Sequence, residues 1–318
     1  MTTSLPFLDA ATVRRLVPPR AAVRALQDAL RSGLRPEQDA PRVAAPLAHG
    51  EFLLMPSEAA ADAGVKVLTV APGNPVRGLP RIQGLYILFD AETLTPRVLI
   101  DGPALTDLRT PAVSIAAVEP LLRRRQVPLR VVLYGAGHQG RGHLATLRDT
   151  LGDERIAHVT TVTRDPSRVA TGDGIDHAAA SGSPTAEEET RAADLIICST
   201  TARTPLFRGD LVRDDAVVIA VGSHEPTARE LDAPLLGRST VVVEDRATAL
   251  RECGDVVLAI DEGALDTDDL LTMSDVLDPE TRLAADAPVV FKSSGMSWED
   301  LVVASAVWRA ARDEDDGR

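Results

Sequence analysis

Three cations and one glycine turn carry the chemistry this chain can do. Gly135-Ala136-Gly137-His138-Gln139-Gly140 follows the apolar run Val131-Val132-Leu133-Tyr134. A G-x-G-x-x-G between a strand and a helix lets backbone approach a dinucleotide pyrophosphate, and the helix N-terminus supplies N–H groups and partial positive charge. Arg42, Lys66 and Arg109 lie on separate stretches of a chain whose net charge is −13. Such a set can clamp a carboxylate, arginine giving a two-pronged hydrogen bond and lysine a movable point charge. Each taken singly also fits a surface or salt-bridge residue. Of the 34 basic residues only Lys66 and Lys292 are lysine, so Lys66 reads as an answer to a local demand for a compact, titratable ammonium.

The residues after the second strand of the glycine-turn region bear on cofactor choice. An NAD enzyme usually places Asp or Glu there, on the ribose 2′-hydroxyl. This chain has Thr163-Arg164-Asp165, with Arg168 close behind. A 2′-phosphate is welcomed by such arginines, so NADP(H) is favoured over NAD(H). The alternatives are that Arg164 stacks on the adenine or that Asp165 takes the ribose.

These residues must be held by a fold of about two domains, given 318 residues of which 44% are hydrophobic. Aromatics are only 3%, so the core is mainly Val, Leu, Ile and Ala. No apolar run approaches the roughly 18 residues of a membrane span, and Met1-Thr2-Thr3-Ser4 lacks the features of a signal peptide. A cytoplasmic location with no membrane partner is expected. The acidic balance argues against nucleic acid, whose phosphates need a basic surface. Cys198 and Cys253 are too few and too far apart for a disulfide framework or a zinc site and read as buried thiols; no metal is expected. The stretches Glu187-Glu188-Glu189 and Asp313-Glu314-Asp315-Asp316 read as solvated faces or a frayed tail.

Residues 11–34 carry apolar positions at helical spacing, as one helix or a pair broken at Pro18-Pro19, with Gly33 as the stop. From 42 to 101 short β-like runs alternate with turn signals such as Pro72-Gly73-Asn74-Pro75 and Asp101-Gly102, which predicts a mostly antiparallel sheet with helical flanks. Thr110-Pro111 looks like an N-cap followed by proline at the first helical position, opening a helix through about Leu122. Arg109 then stands just before a helix start, where its guanidinium and the free N–H groups could meet one anion. From 130 the pattern is that of a doubly wound parallel sheet, with strands at 130–134, 158–163, 194–199, 216–221 and 240–244 and a helix from about 138. The segment from Trp298-Glu299-Asp300-Leu301 through Ala310 reads as an amphipathic helix returning to the first domain.

Several runs in one order extend these local readings. They are Lys66-Val67-Leu68-Thr69-Val70-Ala71-Pro72-Gly73-Asn74-Pro75 with Gly78-Leu79-Pro80, Gln83-Gly84, Leu88-Phe89-Asp90-Ala91-Glu92-Thr93, Asp101-Gly102, Leu105-Thr106, Leu108-Arg109-Thr110, the glycine turn, and Phe291-Lys292-Ser293-Ser294-Gly295. In these the chain resembles the ornithine cyclodeaminase/mu-crystallin family over nearly its whole length. The resemblance implies an α/β protein: a Rossmann-type doubly wound parallel sheet over 114–292, and an α+β substrate-binding and dimerisation domain over 1–113 with 293–318. It implies a homodimer that binds a small amino or imino acid between the domains.

The resemblance assigns Arg42, Lys66 and Arg109 to the substrate carboxylate. It assigns Thr110, Gly135, Gly137, His138, Gln139, Gly140, Thr163, Arg164, Arg168, Thr200, Gly222 and Lys292 to the nicotinamide cofactor. Cyclodeaminases of the family use an aspartate shortly after the fifth strand; here the run is Gly222-Ser223-His224-Glu225-Pro226, with His224 in its place. That departure favours the simpler branch, reduction of a cyclic ketimine such as pyrroline-2-carboxylate or piperideine-2-carboxylate. His224 and Lys66 are the candidate catalytic residues, because imidazole titrates near neutrality and a desolvated ammonium can give up a proton; His224 equally fits a residue that bonds the cofactor or shapes the pocket. A cyclodeaminase acting on a diamino acid, an amino-acid or opine-type dehydrogenase, and a cofactor-dependent ligand-binding protein of mu-crystallin type are the rival readings.

Overall fold

The protein is described by a computed structural model covering residues 5–172, 174–284 and 286–317. It divides into two compact units, one formed by the chain up to Val113 together with the chain from Gly295 on, the other by Ser114–Ser294.

The first unit opens with β1 (Phe7–Leu8), α1 (Ala10–Leu16) and α2 (Pro19–Arg31). Asp9 caps α1 by accepting from Thr12 N at 2.8 Å, and Pro18-Pro19 separates the two helices because a proline offers no N–H to continue a helix but suits its first turn. Then come β2 (Val43–Leu47), β3 (Gly50–Ala59), β4 (Asp62–Val70), β5 (Ile82–Asp90) and β6 (Pro96–Asp101). The sheet order is β1-β6-β5-β4-β3-β2, antiparallel except where β1 joins β6. Strand alternation puts Met55, Lys66, Tyr86 and Ile100 side by side across four strands, and all four are buried. The C-terminal helix, Ser297–Asp316, packs on that face. The opposite face carries Val43, Phe52 and Leu85, which stay exposed.

The expected helix start at Thr110-Pro111 is wrong. One helix, α3, runs from Gly102 to Arg124. Its N-terminus is set by Asp101, whose carboxylate accepts from Ala104 N at 2.8 Å, with Pro103 in the first turn. Two cap-and-proline signals compete in this stretch, and the first one wins. Pro111 costs the helix one hydrogen bond, on the order of 3 kcal/mol with its steric penalty. The stripe Leu105, Leu108, Ala112, Val113, Ile115 and Ala116 is buried through it, and several buried apolar side chains at about 1.5–3 kcal/mol each outweigh that cost. Arg109 therefore lies inside a helix, and no free N–H groups stand beside it.

The second unit contains β7 (Leu129–Tyr134), α4 (His138–Leu151), β8 (Ile156–Thr163), β9 (His177–Ala180), α5 (Pro184–Ala192), β10 (Leu195–Cys198) and β11 (Val217–Ala220). It continues through α6 (Ala233–Gly237), β12 (Thr240–Val243), α7 (Arg246–Glu252), α8 (Gly254–Asp261), β13 (Leu271–Thr272), α9 (Met273–Leu277) and β14 (Val289–Lys292). The strand order is β13-β12-β14-β11-β10-β7-β8-β9, every pair parallel. This is the expected α/β doubly wound sheet. Strands β10, β11 and β14 are buried at every residue, as parallel strands covered on both faces must be. The chain winds outward in opposite directions from β7, so the topological switch point lies between β7 and β10, where open α/β sheets bind ligands. The acidic run Glu187-Glu188-Glu189 is a face of α5, capped by Ser183. Among the described residues no helix is long and apolar enough to cross a membrane.

Candidate functional site

The first unit gathers all three predicted cations on one set of partners. Lys66 points from β4 toward the C-terminal helix, and its Nζ donates to Asp300 Oδ2 at 2.5 Å. Arg109 reaches from α3 to the same helix, where Nη1 donates to Glu299 Oε2 at 2.8 Å and Nε stands 3.3 Å from Asp300 Oδ1. Arg42, before β2, donates from Nη2 to the carbonyl of Gly295 at 2.8 Å. One carboxylate thus bridges Lys66 and Arg109. Gly295 has a φ of +77°, and a Cβ there would fall 2.6 Å from Arg109 Nη1, so this glycine leaves room for the guanidinium.

Burial of these charges is deep. Lys66 is 1% exposed, Arg109 7%, and Glu299 and Asp300 are fully buried; Arg42 is only half-buried. Burial pushes the Lys66 ammonium down to about 8, against the raising pull of Asp300 and with a further lowering from Arg109. Tyr86, beside Lys66 in the strand register, is raised well above its ordinary range by burial and by Asp300, Asp39 and Asp62. Asp39 accepts from Trp298 N at 2.7 Å and fixes the start of the C-terminal helix. Glu299 does so as well, accepting from Met296 N at 2.9 Å through Oε1 while Oε2 holds Arg109. The result is a balanced charge cluster with one half-exposed arginine at its rim and one lysine able to titrate near neutral pH.

In the second unit the glycine turn leaves β7 at the switch point. Gly135 takes a φ of +108°, and a Cβ there would stand 2.7 Å from the Ser199 carbonyl oxygen. A Cβ on Gly140 would collide with the Gly135 carbonyl oxygen. Nothing lies within 4 Å of where a Gly137 Cβ would be, so the backbone is open on that side. Gly137 is also the N-cap of α4 and brings no side-chain cap. The first-turn N–H groups of His138, Gln139 and Gly140 are therefore placed to receive an anion. A diphosphate fits this turn. Thr163 ends β8, and Arg164 and Arg168 are exposed beyond it. Asp165 caps the short turn that follows, accepting from Ser167 N at 3.2 Å and Ser167 Oγ at 2.6 Å.

The remaining predicted residues lie at the carboxyl edge of the same sheet, tied by buried carboxylates. Glu230 is fully buried and accepts from Thr200 N, Thr200 Oγ1 and Gly222 N, each at 2.7 Å. It joins the loops after β10 and β11. Asp255 accepts from the N–H groups of Glu230 and Leu231 at 2.7 and 2.8 Å. Lys292 is fully buried, with Nζ 2.5 Å from the Ser223 carbonyl and 3.1 Å from Asp255 Oδ2. Its ammonium is engaged inside the fold, where it holds the loop at Ser223. His224, next along that loop, is exposed. Thr110, predicted to touch cofactor, is half-buried inside α3. Both cysteines are buried free thiols.

Sequence reading missed Asp300, Glu299, Glu230 and Asp255. Acidic residues are common in this chain, and nothing local marks these four as buried. The one available signal was the pairing of an acidic doublet with the apolar start of a helix at Trp298-Glu299-Asp300-Leu301, which placed charge where a buried face was expected. A cavity of about 650 Å³ lined by Asp210, Arg213, Asp214, Asp215 and Arg238 lies at the opposite, amino edge of the sheet, before β11. Its charges are matched, Arg213 with Asp215 at 2.6 Å, Arg238 with Asp214 at 2.8 Å and Asp210 with the nearby Arg208 at 3.1 Å, so it offers no uncompensated charge.

Known proteins share this arrangement of sequence and fold. The chain is 32% identical over 311 residues to a delta(1)-pyrroline-2-carboxylate/delta(1)-piperideine-2-carboxylate reductase of Azospirillum brasilense, covering 97% of this chain and 96% of that one. A structure described as a probable ornithine cyclodeaminase from Bordetella pertussis Tohama I superposes with a TM-score of 0.81 at 29% identity, covering 98% of each chain. An archaeal alanine dehydrogenase dimer with bound NAD superposes with a TM-score of 0.83 at 25% identity, covering 98% of this chain and 97% of that one. Residues 7–315 match the sequence profile of the ornithine cyclodeaminase/mu-crystallin family, and the chain belongs to that family.

Proposed function

We propose that this protein is an NAD(P)H-dependent reductase of small cyclic ketimines, converting a ring imine of the pyrroline-2-carboxylate or piperideine-2-carboxylate type to the cyclic amino acid. The observation that carries this reading is the Lys66 ammonium, buried beside Arg109 and drawn down to about 8. A proton donor for an imine nitrogen works best when its pKa lies near the working pH. Arg42 and Arg109 serve the substrate carboxylate. Similarity to the Azospirillum brasilense reductase over nearly the full length of both chains supports the same chemistry.

When bound, the nicotinamide supplies a hydride to the imine carbon. The chain's own part is to hold the dinucleotide at Gly135, Gly137, His138, Gln139 and Gly140, with Thr200 and Gly222 on the neighbouring loops. Arg164 and Arg168 favour NADP(H), since Asp165 is occupied in capping its own turn and an exposed arginine pair suits a 2′-phosphate. His224 is a second candidate for a proton-handling role.

The protein works as a homodimer joined through the uncovered face of the first unit's sheet. That face presents Val43, Leu47, Phe52 and Leu85 to solvent, and apolar residues exposed together mark an interaction surface. The similar alanine dehydrogenase is a dimer. Two buried free thiols suit a reducing compartment, which agrees with a cytoplasmic location.

A cyclodeaminase reading draws on the similarity to the Bordetella protein, but His224 stands where the aspartate of that chemistry is expected. The deciding experiment offers the protein pyrroline-2-carboxylate with NADPH or NADH, and separately ornithine with NAD. Imine-dependent oxidation of NADPH, abolished in Lys66→Ala and lowered in His224→Ala, supports the reductase. Ammonia release from ornithine without net redox change would replace it.

A further inference from the structure

We propose that Asp300 is the positioning residue of the reduction: its carboxylate bridges Lys66 and Arg109, presenting the Lys66 ammonium as the proton donor and fixing the guanidinium that receives the substrate carboxylate. The inference rests on the reductase reading for its chemistry, and on the geometry of the first unit for its residues. Asp300 Oδ2 is 2.5 Å from Lys66 Nζ, and Oδ1 is 3.3 Å from Arg109 Nε. Asp300 and Lys66 are buried, at 0% and 1% exposure. An ammonium in such a place without a carboxylate partner would shed its proton and arrive at the reaction as a neutral amine.

The charges around Lys66 come from every element packed against it. The C-terminal helix brings Asp300 and Glu299 and α3 brings Arg109, while Asp39, before β2, acts on the neighbouring Tyr86. The sheet adds the Tyr86 hydroxyl and Asp62. Glu299 is spent on Arg109 and on Met296 N, Asp62 is paired with Arg97, and Asp39 holds Trp298 N. Asp300 is the carboxylate that touches the lysine. In the proposed step the imine nitrogen takes the Lys66 proton while the imine carbon takes the hydride. The C=N bond becomes C–N, Lys66 is left as the neutral amine, and solvent returns its proton after product leaves.

The scarcity of lysine makes this directly measurable. Protein grown on lysine labelled with ¹³C at Cε has two lysine signals, from Lys66 and Lys292. Burial lowers the Lys292 pKa, but Asp255 and its neighbours raise it past its ordinary value, so Lys292 keeps its proton through the range in which Lys66 titrates, near 8. Asp300→Asn is expected to lower the Lys66 midpoint by about one pH unit or more, and Arg109→Gln to raise it. With pyrroline-2-carboxylate and NADPH, kcat should fall as pH rises through the Lys66 midpoint. That limb should move to lower pH in Asp300→Asn in step with the NMR midpoint, with KM changing less than kcat.

A Lys66 midpoint unmoved in folded Asp300→Asn overturns the proposal, as does a kcat limb that ignores the midpoint. If Asp300→Asn does not fold, Arg109→Gln decides, and an unmoved midpoint there overturns it. A protein that reduces no cyclic imine refutes the functional reading alone, because the NMR titration still decides whether Asp300 governs the Lys66 proton.

Discussion

Glu230 offers a quantitative test of how the cofactor loops are held. Its buried carboxylate accepts three hydrogen bonds, two from Thr200 at one oxygen and one from Gly222 N at the other. Burial raises its pKa while Lys292 pulls it down. Glu230→Gln can keep one acceptor oxygen and must turn an amide N–H₂ toward the other donors. The best orientation preserves the Thr200 pair and loses the Gly222 bond, leaving a buried N–H without a partner. A lost hydrogen bond to a charged group and an unsatisfied donor together amount to about 3 kcal/mol. Thr200→Val removes two hydroxyl bonds, the one donated to Glu230 and the one accepted from Ala202 N at 3.1 Å, and should cost about 2 kcal/mol. The loops after β10 and β11 then have to be ordered by the ligand, and if about 1.4 kcal/mol of the loss falls on that step, the dinucleotide Kd rises tenfold. Urea unfolding followed by far-UV circular dichroism gives the first quantity, and NADPH fluorescence titration the second. Glu230→Gln with stability within about 0.5 kcal/mol of the native protein and an unchanged Kd would refute the role given to this carboxylate.

Other residues give equally direct outcomes. His143 is fully buried in α4, with Nδ1 2.7 Å from Gln139 O and Nε2 3.0 Å from Ser114 Oγ, and burial lowers its pKa to about 4. The unfolded chain binds a proton at this histidine near pH 6.5 while the folded chain does not, so stability falls as pH drops from about 6.5 toward 4, by at most about 3 kcal/mol. Urea midpoints at pH 7.5 and 4.5 should differ less in His143→Gln. Arg164→Ala should weaken NADPH more than NADH, and equal losses in the two Kd values would remove the argument for a 2′-phosphate site. Leu85→Glu, on the uncovered sheet face, should shift the protein from dimer to monomer in light scattering after gel filtration, with its far-UV circular dichroism unchanged.

Most of the second unit could be read from sequence because its signals are local. The run Val131–Tyr134 followed by three glycines at fixed spacing specifies a strand, a tight turn and a helix start; Gly135 and Gly140 meet steric needs of the turn, and Gly137 leaves its backbone open. The sheet of the first unit was legible for the same reason, through β-rich runs between turns. Boundaries set by competition were not legible. Thr110-Pro111 carries a good start signal, but Asp101-Gly102-Pro103 carries an earlier one, and burial along α3 decided between them. The partners of the predicted cations were also hidden. Lys66 and Asp300 are 234 residues apart, and spacing cannot report a contact made by folding a C-terminal helix onto an early sheet. The same holds for Lys292, whose partner Asp255 lies on α8.

A chain that adds a hydride and a proton to a cyclic imine carboxylate must consume cofactor and form amino acid in fixed proportion. Pyrroline-2-carboxylate and NADPH are mixed with the protein, and NADPH loss and proline formation are followed together. One proline is expected for each NADPH consumed, with the reaction lost in Lys66→Ala. NADPH that survives undiminished beside the imine, or proline formed at the native rate without Lys66, would contradict it.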